Sequence, residues 1–144
     1  MKLKEGNHFT DKSHNCATQI ICTANLLSFK MEEALQPTSL SLQQYTVLSI
    51  LGKYKNELNV NILRSKLLDR QPNISRLLNK LSEKGLINKK RCTTDQRIVY
   101  IALSEKGKEM QLKAAKLIAQ IVFPISDEKM EILHEILSEI RSTN

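Results

Sequence analysis

The sequence has no tryptophan and only three phenylalanines and three tyrosines, so aromatic residues make up 4% of its 144 positions. That scarcity argues against a stacking platform for single-stranded nucleic acid, which needs several exposed rings. Four glycines and three prolines beside 41% hydrophobic residues suit a helix-rich globular chain. The three cysteines, Cys16, Cys22 and Cys92, are odd in number and form no C-x-x-C pair. They therefore describe no disulfide framework and fit a reducing compartment. No apolar run approaches the roughly twenty residues of a membrane span. The N-terminal stretch MKLKEGNHFTDKSHN also lacks the apolar centre of a signal peptide, so no membrane is expected and the expected location is the cytoplasm. G-x-S-x-G, H-E-x-x-H, P-loop and Rossmann fingerprints are absent, and His8, His14 and His134 are scattered. An enzyme is not expected. His8, His14 and Cys16 match no zinc-ligand spacing, so neither a metal nor another cofactor is expected.

Charge is what the chain does have, and it is unevenly placed. Between Asn61 and Val99 stand ten Lys or Arg against Asp69, Glu83 and Asp95, an excess of seven. The whole chain has 22 basic and 15 acidic residues, also an excess of seven, so everything outside this segment is neutral. Basic charge concentrated in one segment is the electrostatic footprint of a polyanion binder.

Within that segment, Gln71 to Leu103 reads QPNISRLLNKLSEKGLINKKRCTTDQRIVYIAL. Ile74, Leu77, Leu78 and Leu81 recur at the spacing of a helix that buries one stripe. The opposite face carries Asn73, Ser75, Arg76, Asn79, Lys80 and Lys84, side chains able to donate to phosphates or to base edges in a major groove. Pro72 suits a first helical turn and Gly85 a helix stop. LINKKR and RIVYIAL, separated by the turn-like CTTDQ, are β-prone runs that predict an antiparallel hairpin. A helix followed by such a hairpin is the pattern of a winged helix, with the helix in the major groove of double-stranded DNA and the hairpin over the neighbouring backbone or minor groove.

The remaining elements follow in order. Residues 1–15 are polar and expected to be loose; Ile20, Ala24, Leu27, Met31 and Leu35 then mark a long amphipathic helix, with Ile21 and Leu26 widening its stripe. Pro37 breaks it, and Ser41-Leu42-Gln43-Gln44 has capping-box spacing for a second helix ending near Gly52. KYKNELNV is a polar link ending in a short extended piece. Ile62, Leu63, Leu67 and Leu68 mark a short helix, joined to the next through Asp69-Arg70-Gln71 as a helix-turn-helix. Ser104 caps a helix whose stripe of Met110, Ala114, Leu117, Ile118, Ile121 and Val122 runs to Pro124. A terminal helix opens with the acids of SDEK and carries Met130, Leu133, Ile136, Leu137 and Ile140. Such a stripe left exposed would be a liability in a monomer, and a twofold mate is the natural cover.

LSLQQYTVLSIL (Leu40 to Leu51), RLLNKLSEKGLINKKR (Arg76 to Arg91), TTDQR (Thr93 to Arg97) and IALSEKG (Ile101 to Gly107) resemble the corresponding stretches of MarR-family transcriptional regulators, in the same order. The resemblance implies a mainly α fold with a small β-hairpin wing: a winged helix-turn-helix over residues 40–103, flanked by N- and C-terminal dimerisation helices over 16–36 and 104–144. It implies a homodimer whose interface includes Ile20, Leu27, Leu133, Ile136, Leu137 and Ile140. It also implies that Arg97 of the D-x-R wing reaches a minor groove with Asp95 bracing it. Arg70, Gln71, Asn73, Ser75, Arg76, Asn79 and Lys80 are the matching positions at and around the recognition helix, and Lys89, Lys90, Arg91 and Thr94 complete the DNA-contact set on the wing.

Repression by a dimer on a pseudo-palindromic duplex is the expected output, with a small phenolic or aromatic acid as the effector implied by the resemblance. Oxidation sensing through Cys16 is an alternative, since a family branch keeps a reactive thiol near that position. Lys30, Met31 and Leu42 stand where that branch has tyrosines, however, and leave no hydroxyl to stabilise a thiolate. Two further alternatives are a sequence-independent architectural DNA protein and a winged helix used for protein contacts.

Overall fold

A computed structural model describes residues 10–67 and 73–142. Helix α1 (Asp11–Leu35) starts five residues before the expected boundary at residue 16. The cause is local: the Thr10 side chain accepts from the Ser13 N–H while the Ser13 hydroxyl answers at the Thr10 N–H, a capping box built from polar residues that carry no stripe. Residues 11–15, expected to be loose, are therefore helical, and residues 1–9 lie outside the described residues. After a 3₁₀ turn (Gln36–Thr38), helix α2 (Leu42–Gly52) starts at the expected Ser41–Gln44 capping box. Strand β1 (Leu58–Asn59) leads directly into helix α3 (Val60–Lys66), and helix α4 (Ile74–Glu83) follows. Strands β2 (Ile87–Arg91) and β3 (Val99–Leu103) form the hairpin, and helices α5 (Glu105–Ile118) and α6 (Asp127–Ser142) complete the chain.

The hairpin pairs Ile87 with Leu103 and Arg91 with Val99 in antiparallel register. It is one strand wider than the sequence implies, because β1 adds to the other edge of β3, pairing Leu58 with Ile101, to give the order β1-β3-β2. β1 is the short extended piece expected at the end of KYKNELNV, and what two residues are too few to announce is its pairing with β3.

The core lies where α1, α2, α3, α4, α5 and the sheet meet, centred on Leu35, Leu48, Leu63, Leu81, Leu86 and Ile101. Ile74, Leu78 and Leu81 of α4 are buried as their spacing requires, and Leu77 is half-buried. In α3 Leu63 is buried, but Ile62 faces outward at 47% exposure, so the expected stripe holds one residue fewer. Ile62 and Leu63 are consecutive and point about 100° apart round the helix, so the face that buries Leu63 leaves Ile62 outside. Leu68 and the turn expected at Asp69-Arg70-Gln71, with Pro72, lie outside the described residues.

Two helix ends shape the chain, one inside the winged helix-turn-helix, the reading head of the molecule, and one beyond it. Gly85 has φ +70°, a left-handed conformation that costs a side-chain-bearing residue about 1–2 kcal/mol. Its N–H reaches the Ser82 carbonyl while the Leu86 N–H reaches the Leu81 carbonyl, the Schellman pattern that turns the chain from α4 into β2. Helix α5 ends at Ile118, before the Pro124 stop implied by its stripe, and Ile121 and Val122 lie beyond it. The chain there tightens into turns from Gln120 to Leu117 and from Ile121 to Ile118, where the β-branched pair and a pre-proline residue disfavour further helix.

α1 and α6 are poorly covered by their own chain. α1 buries Leu35 alone, and Ile21, Leu26 and Phe29 stand more than half exposed. α6 buries nothing and has no extensive packing partner among the described elements. Among the described residues no helix is long and apolar enough to cross a membrane, and no cluster of three or more His, Cys, Asp or Glu could hold a metal ion.

Candidate nucleic-acid interface

The strongly two-sided composition of α4 leaves Asn73, Ser75, Arg76, Asn79 and Lys80 exposed once its leucine stripe is packed. Helical spacing sorts these into rows: Ser75 and Asn79 face the hairpin, and Arg76 and Lys80 lie one step round the helix. The hairpin sorts its own charges by the twofold alternation of a strand. Lys89 and Arg91 line the side facing α4, whereas Lys90, paired with Tyr100, stands on the opposite face of the sheet. Arg70 and Gln71 lie outside the described residues.

Between α3, α4 and the hairpin lies a cleft of about 420 Å³. Arg64, Lys89, Arg91 and Arg97 contribute cationic groups to its walls, and no carboxylate is among the described residues that line it. Four like charges around one concavity attract a polyanion and would repel one another without it. Asn61 and Arg64, on α3, are the members that the motif reading missed. Arg64 is one of the ten basic residues of the segment, but nothing in its spacing shows that α3 presents it to the wing.

Across that cleft the Lys89 ammonium donates to the Asn79 carboxamide oxygen, tying the wing to α4. At the hairpin tip, the Cys92 N–H bonds the Ile98 carbonyl and the Ile98 N–H bonds the Asp95 carbonyl, closing the turn. The Asp95 carboxylate accepts from the Arg97 backbone N–H at 3.0 Å and from its Nε at 3.3 Å. Arg97 is thereby oriented while its side chain stays 92% exposed. Thr94 is exposed beside it, and its hydroxyl lies 3.1 Å from the Cys92 sulfur. That contact, then the backbone N–H groups of Asp95 and Thr94, hold the Cys92 thiol below the ordinary thiol range. Cys16 is exposed on α1, far along the chain from this tip.

Lys84, which the sequence places on the exposed face of α4, has other work. Its Nζ donates to the Ser39 carbonyl at 2.8 Å and to Gln44 Oε1 at 3.0 Å, fastening the end of α4 to the start of α2.

A family model described as "Transcriptional regulator SarA/Rot" matches residues 30–113, from the last turns of α1 through the reading head and into α5. The chain belongs to the SarA/Rot family of transcriptional regulators. Regulators of this kind are not enzymes. The fold is that of MarR-family winged-helix proteins, as the sequence resemblance implies. AbsC, a MarR-family regulator from Streptomyces coelicolor, superposes with a TM-score of 0.82 at 20% identity, covering 93% of this chain and 95% of that one. The organohalide-sensing regulator RdhR, solved with 2,4-dichlorophenol, gives 0.82 at 20% identity over 100% of this chain and 89% of its own. MepR from S. aureus, solved as a DNA complex, gives 0.73 at 20% identity over 89% and 97%. In this SarA/Rot regulator the family match spans α4 and the whole wing, so the basic cleft falls inside it.

Proposed function

We propose that this regulator works in the cytoplasm as a homodimer that reads a pseudo-palindromic duplex and represses by occupying a promoter. The single observation behind this reading is the division of its surface. The cationic groups converge on α4 and the wing, while uncovered apolar side chains gather on α1 and α6, where Leu133, Ile136 and Ile140 are each more than a third exposed and Leu137 is half-buried. Ile20 and Leu27 are half-buried on α1. Joining two copies through α1, the end of α5 and α6 would cover that apolar surface and set two reading heads side by side. Half-sites about one helical turn apart follow from such a twofold arrangement.

On each head, Asn73, Ser75, Arg76, Asn79 and Lys80 would meet the major groove, with Arg70 and Gln71 at the helix entrance. Lys89, Lys90, Arg91 and Thr94 would meet the backbone. Arg97, braced by Asp95, would enter the adjoining minor groove.

A cavity of about 780 Å³ between α1, α2 and α4 supports a small aromatic acid as the effector. Its lining is mostly apolar, with Ile50, Leu67, Ile74 and Leu77 among the walls and Tyr45 as a ring partner. Lys53 at its wall would supply an ammonium group for a carboxylate or phenolate, whereas the Lys66 ammonium lies 5.5 Å from the centroid of the Tyr54 ring. An occupant wedged between α1 and the reading head would change the angle between the two heads of a dimer, penalising the DNA-bound geometry without touching the contacts.

Selection of bound duplexes from random DNA at about physiological ionic strength, repeated at higher salt, tests the reading. An enriched inverted repeat is expected, preferred over random sequence by roughly a thousandfold or more. Salt-sensitive binding without enrichment would instead describe an architectural protein, because backbone contacts alone fade with salt. No binding at all would leave a protein-contact module.

A further inference from the structure

Strand β2 is an outer strand of the sheet, so one of its edges carries no strand among the described residues. The hydrogen bonds at the two ends of the hairpin fix which residues address that edge. The Cys92 N–H bonds the Ile98 carbonyl and the Ser104 N–H bonds the Leu86 carbonyl, so in this register Asn88 and Lys90 are the β2 residues bonded to β3. The alternate residues, Ile87, Lys89 and Arg91, turn their backbone N–H and C=O groups outward. Ile87 is buried, whereas Lys89 and Arg91 are exposed. Two residues therefore offer an open row of alternating donors and acceptors.

The chemistry of that row selects its occupant. Protein contacts to a DNA backbone end on phosphate oxygens, which would satisfy the outward N–H groups and leave the outward carbonyls facing further acceptors. An extended peptide carries both groups in matching alternation and can add to the edge as a strand. Side chains then select its charge. Lys89 and Arg91 flank the edge on the face toward α4 and Asn88 and Lys90 on the other, all four are exposed, and β2 contains no acid. A second copy of β2 is a poor occupant, because it would set Lys and Arg opposite Lys and Arg. A strand bearing Asp or Glu would meet cations on both faces.

We propose that the free edge of β2 is a docking site for an acidic, extended segment of a partner protein, which adds to the sheet as a fourth strand and competes with the duplex for the wing. The competition rests on the regulator reading given above, which gives Lys89, Lys90 and Arg91 to the DNA backbone; the docking itself does not.

The test titrates the full chain, without DNA, against a fluorescein-labelled peptide of about six residues, a common strand length, in which glutamate and valine alternate. Two further peptides carry N-methyl groups, one on every glutamate nitrogen and one on every valine nitrogen, and a fourth has lysine in place of glutamate. Fluorescence anisotropy is expected to show binding of the unmodified peptide and none of the lysine peptide. Of the two N-methylated peptides, the one whose methyl groups face β2 is expected to bind more weakly by roughly tenfold or more, from the lost hydrogen bonds. The other is expected to bind like the unmodified peptide, because its altered nitrogens point away from the sheet. No binding of the unmodified peptide overturns the proposal. Equal retention by both N-methylated peptides overturns it as well, leaving charge attraction alone, and so does equal loss by both, which no edge strand explains. A lysine peptide that binds as tightly overturns the acidic partner. Added to the protein on its selected duplex, the unmodified peptide is expected to displace the DNA, and peptide and duplex held together would overturn the competition. A chain that selects no duplex would overturn the regulator reading, while the titration without DNA would still decide the docking.

Discussion

Gly107 lies against the carbonyl of Leu86: a Cβ built at position 107 would come within 1.9 Å of the Leu86 oxygen. The approach is fastened by Ser104, whose hydroxyl donates to the Gly85 carbonyl at 2.6 Å and accepts from the Gly107 N–H at 2.9 Å. The Ser104 N–H also bonds the Leu86 carbonyl. The first turn of α5 is thus riveted to the junction where α4 passes into the wing, which gives the L-S-x-x-G stretch its physical meaning. Gly107→Ala is expected to lower folding stability by about 1–3 kcal/mol, the usual cost of forcing atoms into packed space. Urea unfolding measures it, and a midpoint equal to that of the unaltered protein would show that the contact relaxes freely.

Lys84→Met is expected to separate stability from DNA contact. It removes the two hydrogen bonds that join α4 to α2, for a loss of about 1 kcal/mol at this partly exposed site. DNA affinity should change little beside the loss produced by Lys80→Met. Unaltered thermal stability together with lost DNA binding would return Lys84 to the DNA face.

Arg97→Ala is expected to weaken binding to the selected duplex by roughly ten- to a hundredfold, the scale of a lost base-edge contact. Asp95→Ala should weaken it less, since the arginine remains but loses the carboxylate that orients it. Titrations at physiological salt decide this, and full affinity in Arg97→Ala removes the minor-groove role.

Replacing both Leu133 and Ile136 with Glu is expected to yield monomers that no longer hold the duplex. Both side chains already face outward in the single chain, so folding of the reading head should survive. Sedimentation of a persisting dimer would exclude α6 from the interface.

Cys92 is expected to react with iodoacetamide with a midpoint below the ordinary thiol range, because a lowered pKa keeps the thiolate present at lower pH. Thr94→Val should raise that midpoint, since the Thr94 hydroxyl is the largest cause of the lowering. Site-resolved mass spectrometry across a pH series reads the result. A midpoint unmoved by the substitution would assign the effect to the backbone donors alone.

Much of this was written in local pattern. Ile74, Leu78 and Leu81 declared the buried face of α4, Gly85 its end, and the β-branched runs the hairpin, because each is a short-range requirement of backbone geometry. The start of α1 escaped because capping by Thr10 and Ser13 leaves no apolar trace. The end of α5 escaped because a helical stripe can continue in residues that the backbone has already turned away from the helix.

The sequence by itself therefore determined the kind of protein: how many amphipathic segments, where the positive charge falls, and which side chains could address a duplex. Tertiary structure decided which of those charges act together. Lys84 and Lys89 are chemically alike and five residues apart, yet one fastens α4 to α2 and the other closes on Asn79 across the basic cleft. A lysine's partner is set by which backbone lies within reach of its flexible stem, and that depends on how distant elements pack rather than on its neighbours in the chain.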